Sequence, residues 1–157
     1  MRALCSKHDG YTLVEIMVVL AMVGLLTALA VSTLQGVLLR QQKDAAAQEI
    51  QALLNQARSM ARSTAVPATV TLTQVAAAPG GSISATIGAP VNWSRTLSFG
   101  PGTGYTAVGL VGAALGPFTF AARGNVTPGG FLLSVQDQKG QTVTVSVGLL
   151  GDITISQ

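Results

Sequence analysis

Gly10-Tyr11-Thr12-Leu13-Val14-Glu15-Ile16-Met17-Val18-Val19-Leu20 decides how the rest of this chain is read. A single carboxylate, Glu15, stands at the mouth of an apolar run that carries no formal charge from Ile16 to Leu39. Those 24 positions span about 36 Å as a helix, enough for a hydrocarbon core of roughly 30 Å. Ile16 to Leu34 contains ten Ile, Val or Leu residues, together worth about −3 to −6 kcal/mol of insertion free energy. One acidic residue near the edge costs at most about 3 kcal/mol, so Glu15 weakens insertion without reversing it.

Two processing schemes compete for this stretch. In a secretory signal peptide, Arg2 and Lys7 form the basic region, the run is the apolar region, and Ala28-Leu29-Ala30 is the cleavage site before Val31. Glu15 then puts a charge where export gains nothing from it. In the other scheme, cleavage after Gly10 leaves the run in the mature chain.

Outside this run the composition excludes several function classes. With 157 residues, 10% charged and 48% apolar, the chain has room for one domain and a membrane or targeting segment. The formal charge is +3, and a chain starting at Tyr11 would carry seven basic against five acidic residues, which is no nucleic-acid footprint by itself. The only cysteine, Cys5, and the only histidine, His8, precede Gly10. The remainder therefore offers no disulfide, no thiolate or imidazole for a metal, and no nucleophile–base pair for an enzyme. No cofactor motif is present: Gly100-Pro101-Gly102-Thr103-Gly104 lacks the Lys-Ser/Thr of a phosphate loop and reads as a turn.

Helical periodicity continues past the run. Ala46, Ile50, Leu53, Leu54, Ala57, Met60, Ala61 and Thr64 recur at three- and four-residue spacing, and Val66-Pro67 opposes continuation. The pattern predicts one helix from Leu13 to Thr64, apolar all round in its first half and amphipathic in its second, with Gly24 and Gly36 as soft points. Arg40, Lys43, Asp44, Glu49, Arg58 and Arg62 read as its solvated face.

From Ala68 onward short alternating runs broken by Gly and Pro predict strands at 69–75, 82–87, 91–99, 105–111, 117–122, 131–137, 141–147 and 152–156. Residues 76–81 read as a flexible loop, and Asp137-Gln138-Lys139-Gly140 as a hairpin turn. The expected fold class is α+β, a long N-terminal helix packed on an antiparallel β domain. The expected segments are 1–10 leader, 11–39 membrane helix, 40–66 amphipathic helix and 67–157 β domain.

The opening stretch resembles the class III leader junction of type IV prepilins and type II secretion pseudopilins, with Tyr11 where phenylalanine is commonest. The resemblance implies that Gly10 is the last leader residue, recognised by a prepilin peptidase in the cytoplasmic membrane. It makes Tyr11 the new, N-methylated terminus, and it gives Glu15 an assembly role. A carboxylate in hydrocarbon is tolerable when paired, and the Tyr11 ammonium of a neighbouring subunit is a fitting partner. The alternative for Glu15 is an unpaired, snorkelling carboxylate at the membrane interface. The resemblance also sets a single pass in a bacterial inner membrane, N-terminus cytoplasmic and β domain periplasmic, before entry into a pilus or pseudopilus.

Phe118-Thr119-Phe120, Gly124, Gly129-Gly130, a hairpin and a last strand resemble the C-terminal half of the GspH/FimT minor pseudopilins and minor pilins. Some members bind DNA through a G-R-x-R tail, and here the corresponding place reads Gly151-Asp152-Ile153-Thr154, with no arginine. Arg95 and Arg123 remain candidates for a small nucleic-acid contact patch, with Trp93 on the strand face of Arg95. The simpler alternative is a core tryptophan beside a snorkelling arginine. Three functions follow: a structural minor pilin or pseudopilin partnered by other pilin subunits, a DNA- or ligand-binding minor pilin, or a soluble β domain released after Ala30.

Overall fold

The computed structural model describes residues 12–112 and 116–156, without the side chains of residues 31–33. Gly10 and Tyr11 lie outside the described residues. One helix, α1 (Leu13–Thr64), is followed by nine strands: β1 (Ala68–Thr73), β2 (Ser82–Ile87), β3 (Trp93–Ser98), β4 (Val108–Val111), β5 (Phe118–Phe120), β6 (Val126–Thr127), β7 (Phe131–Asp137), β8 (Thr142–Val147) and β9 (Ile153–Ser156). The chain divides into two compact units between Val37 and Leu38.

Helix α1 runs unbroken through Gly24 and Gly36, so neither glycine interrupts it. It ends where sequence chemistry requires. Ala65 takes a left-handed conformation (φ 57°), Thr64 Oγ1 donates to the Met60 carbonyl at 2.7 Å, and Val66-Pro67 cannot continue the helix.

In the second unit the strands form two antiparallel sheets, one ordered β3-β2-β1-β5-β6 and the other β4-β7-β8-β9. Ala46, Ala47, Ile50, Leu53, Leu54, Ala57 and Ala61 of α1 are fully buried in one cluster with Val70, Ile83, Phe120, Leu133, Val135 and Val145 of the sheets. Four of the seven helix residues are alanines, which let the backbones approach closely, while Ile50, Leu53 and Leu54 fill the space between. The pleat sends the opposite side chains of the five-stranded sheet outward, and across one row these are Ser94, Thr86, Thr69, Thr119 and Thr127.

Most expected strands form within two or three residues of their sequence limits. The 105–111 run is shortened to β4, because Tyr105 closes a turn by accepting the Gly100 amide at 3.0 Å. Strand β6 has no sequence counterpart, being a two-residue partner of β5 that stops before Pro128. The 76–81 segment is held at its two ends, where Val75 and Gly80 form bridges to Val111 and Gly109. A side chain at Gly109 would collide with the Gly80 backbone, its Cβ falling 2.8 Å from the nitrogen. The 137–140 hairpin is as expected, and Asp137, only 2% exposed, builds it by accepting the amides of Lys139 and Gln141, both at 2.9 Å.

The charged positions of α1's second half are only in part a solvated face: Arg40 and Arg62 are exposed, but others are not. Lys43 is 8% exposed, and Glu49, Arg58 and Arg62 bind the β domain. Sequence periodicity identified the apolar stripe but not that the polar residues flanking it serve as ties.

Candidate functional site

Glu15 lies in the first turn of α1. Its amide donates to Thr12, at 3.3 Å to Oγ1 and 3.0 Å to the carbonyl. Thr12-Leu13-Val14-Glu15 is therefore an N-cap with a glutamate three residues on, the sequence form of a capping box, and the carboxylate sits where the helix dipole favours negative charge. That second role was legible in the spacing, and the reading from membrane length overlooked it.

Beyond the cap the side chains up to Ala30 are exposed. The most apolar window of α1 has a mean hydropathy of 2.5 and nothing covers it. An uncovered apolar surface of this length belongs in a membrane or against other subunits. Glu15 shares one face with Ile16, Val19 and Leu20, so the only charge of the run is presented beside a groove of aliphatic carbon.

In the second unit a polar cluster fastens α1 to the sheets. Glu49 Oε1 accepts from Arg95 Nη2 at 3.4 Å, Glu49 Oε2 accepts the Tyr105 hydroxyl, and Arg95 Nη1 donates to Gln56 Oε1 at 2.8 Å. Burial and the neighbouring carboxylate push the Tyr105 pKa up to about 12. Arg58 donates to the carbonyls of Gly124 at 3.1 Å and Leu150 at 2.5 Å, and Arg62 to that of Arg123 at 3.2 Å. Burial and the adjacent Arg62 lower the Arg58 pKa, against an opposing pull from Asp152.

Arg95 and Arg123 are not brought together. Arg95 is on β3, one edge of the five-stranded sheet, and is engaged by α1. Arg123 lies in the turn leading to β6, the other edge. The three intervening strands separate the two edges by about 19 Å.

A solved structure and two family models have this arrangement or its sequence. Residues 46–151, more than half of the chain, match the model of the type II transport protein GspH. The chain belongs to the GspH family. Residues 5–31 of this GspH-family chain also match the prokaryotic N-terminal methylation motif. The crystal structure of the type IV minor pilin FimU from Pseudomonas aeruginosa (strain PAO1) has a similar fold, with a TM-score of 0.51 and 21% identity over 73% of this chain and 92% of that one. No curated protein matches the chain significantly.

The chain is accordingly a minor pilin or pseudopilin, a structural subunit of a class that assembles with other pilin subunits. Its family and fold are those of structural subunits rather than enzymes. The methylation motif and the apolar helix are those of a membrane-anchored pilin.

Proposed function

We propose that the chain is made as a precursor, cut between Gly10 and Tyr11 by prepilin peptidase and N-methylated at Tyr11. Residues 1–10 are the leader, 11–39 the membrane and assembly helix, 40–66 its amphipathic continuation, and 67–157 the β domain. The anchor crosses the cytoplasmic membrane once, N-terminus in the cytoplasm and β domain outside, until the subunit is drawn into a pseudopilus or type IV pilus.

The observation carrying this reading is the lone carboxylate of Glu15 in the first turn of α1, at the mouth of a run that is uncharged to Leu39 and whose described side chains are exposed up to Ala30. A carboxylate taken into hydrocarbon must find a cation or a dense set of donors. A neighbouring Tyr11 ammonium satisfies it and fixes the axial register of one helix against the next. N-terminal sequencing of the membrane-extracted mature chain tests the processing step: the expected first residue is methylated Tyr11. A chain beginning at Val31 would show cleavage by signal peptidase and remove the anchor from the mature protein.

A further inference from the structure

We infer that the turn between β8 and β9, with the arginines beside it, is a docking surface for a different pilin-class subunit, one presenting an apolar socket rimmed by carboxylates. The inference rests on the subunit reading above. It adds which surface of the β domain makes the contact.

The turn Gly148-Leu149-Leu150-Gly151 presents two leucines to solvent, Leu149 at 65% and Leu150 at 77% exposure. It is held on all sides. Gly151 N–H donates to the Gly148 carbonyl at 2.9 Å, Gly148 N–H to Asp152 at 2.8 Å, Val126 N–H to the Leu149 carbonyl at 3.0 Å, and Arg58 to the Leu150 carbonyl at 2.5 Å. Gly151 has φ 78°, and a side chain there would strike the Gly124 carbonyl at 2.2 Å, so the turn's shape is set by α1 and the β5–β6 connection together. Two leucines are thus fixed in water and do not fold back, as an anchor residue is before it enters a pocket.

Arg58 binds the turn itself, and Arg62, one helical turn on, donates to the backbone of Arg123, the neighbour of the Gly124 that Arg58 also binds, with Asp152 as the one nearby acid. Arg123 is exposed, its side chain makes no ion pair among the described residues, and the Arg58 and Arg62 charges oppose one another. A net positive rim around an apolar knob calls for a socket rimmed with negative charge.

Charge also selects the occupant. Among its described residues, a second copy of this chain supplies no such socket. Its Glu49 is engaged by Arg95 and Tyr105, Asp137 by its own hairpin, Asp152 by the patch itself, and Asp44 lines a depression with Arg40 and Lys43, while Glu15 lies in the apolar run. Nucleic acid offers phosphates, which suit neither the two leucines nor Asp152.

The test places p-benzoylphenylalanine at Leu150 in the full chain, in cells that carry the assembly machinery, with Thr71 on the outer sheet face and Val19 in the apolar run as reference positions. Irradiation is expected to join position 150 to a different pilin subunit, through a peptide containing Asp or Glu. Arg123→Glu is expected to lower that yield about tenfold without moving the thermal midpoint. A homodimer, a lipid or nucleic-acid adduct, or a yield no higher than at Thr71 would overturn the inference. If Val19 still gives subunit adducts, only this surface fails; if Val19 gives none, the subunit reading fails with it.

Discussion

Tyr105 donates its hydroxyl to Glu49 from a site where burial and the carboxylate both oppose its ionisation, raising its pKa to about 12. Because the folded value lies above the ordinary value of 10.0, this stabilisation is complete below about pH 10 and is lost as pH rises toward 12. Denaturant titrations in detergent should find Tyr105→Phe less stable by about 1–2 kcal/mol at pH 9, the difference shrinking to nothing by pH 12. A pH-independent difference would assign the loss to packing. Asp137 permits a second test, since its Oδ1 satisfies two backbone amides from a nearly dry position. Asp137→Ala should cost about 2–3 kcal/mol in the same titration, and a cost under about 0.5 kcal/mol would mean that water replaces the carboxylate. The Asp-x-x-Gly pattern made this turn legible in the sequence. The Glu49–Tyr105 bond was not legible, since its partners are 56 residues apart and no local periodicity links them.

At the scale of elements, α1 shows what sequence encodes directly. Its start is written in Thr12 and Glu15, its stripe in the 46–61 spacing, and its end in Val66-Pro67. Where strands alternate cleanly, as at Val143, Val145 and Val147, the burial follows the letters. Strand β6 was hidden because two residues show no alternation, and it exists only because β5 offers an edge at Thr119 and Phe120. Ala65, the residue after the helix, adopts a left-handed conformation that costs an L-residue about 1–2 kcal/mol and a glycine almost nothing. Ala65→Gly should therefore raise unfolding stability by about 0.5 kcal/mol, after deducting glycine's extra freedom in the unfolded chain. A drop in stability would indicate that the Ala65 methyl group contributes packing that outweighs its strain.

For the molecule as a whole, two features of opposite character account for its behaviour as a subunit. The β domain contains its own core and anchors α1 through Glu49, Arg58 and Arg62. Among the described residues, nothing covers the aliphatic side chains of the first part of α1, which carries one carboxylate. The sequence made the second feature plain, because an uninterrupted apolar run with one charge at its mouth needs no tertiary context to be read. It left open which β-domain surface meets a partner, because the exposure of Leu149 and Leu150 and the gathering of three arginines depend on contacts between distant segments. The most direct test of the central claim compares the parent chain and Glu15→Ala, both confirmed to begin at methylated Tyr11, by their amounts in the sheared or overexpressed filament fraction of the same cells. Glu15→Ala is expected to be processed and to remain in the membrane, with incorporation reduced about tenfold or more by loss of the paired carboxylate. Incorporation equal to the parent chain would contradict that claim.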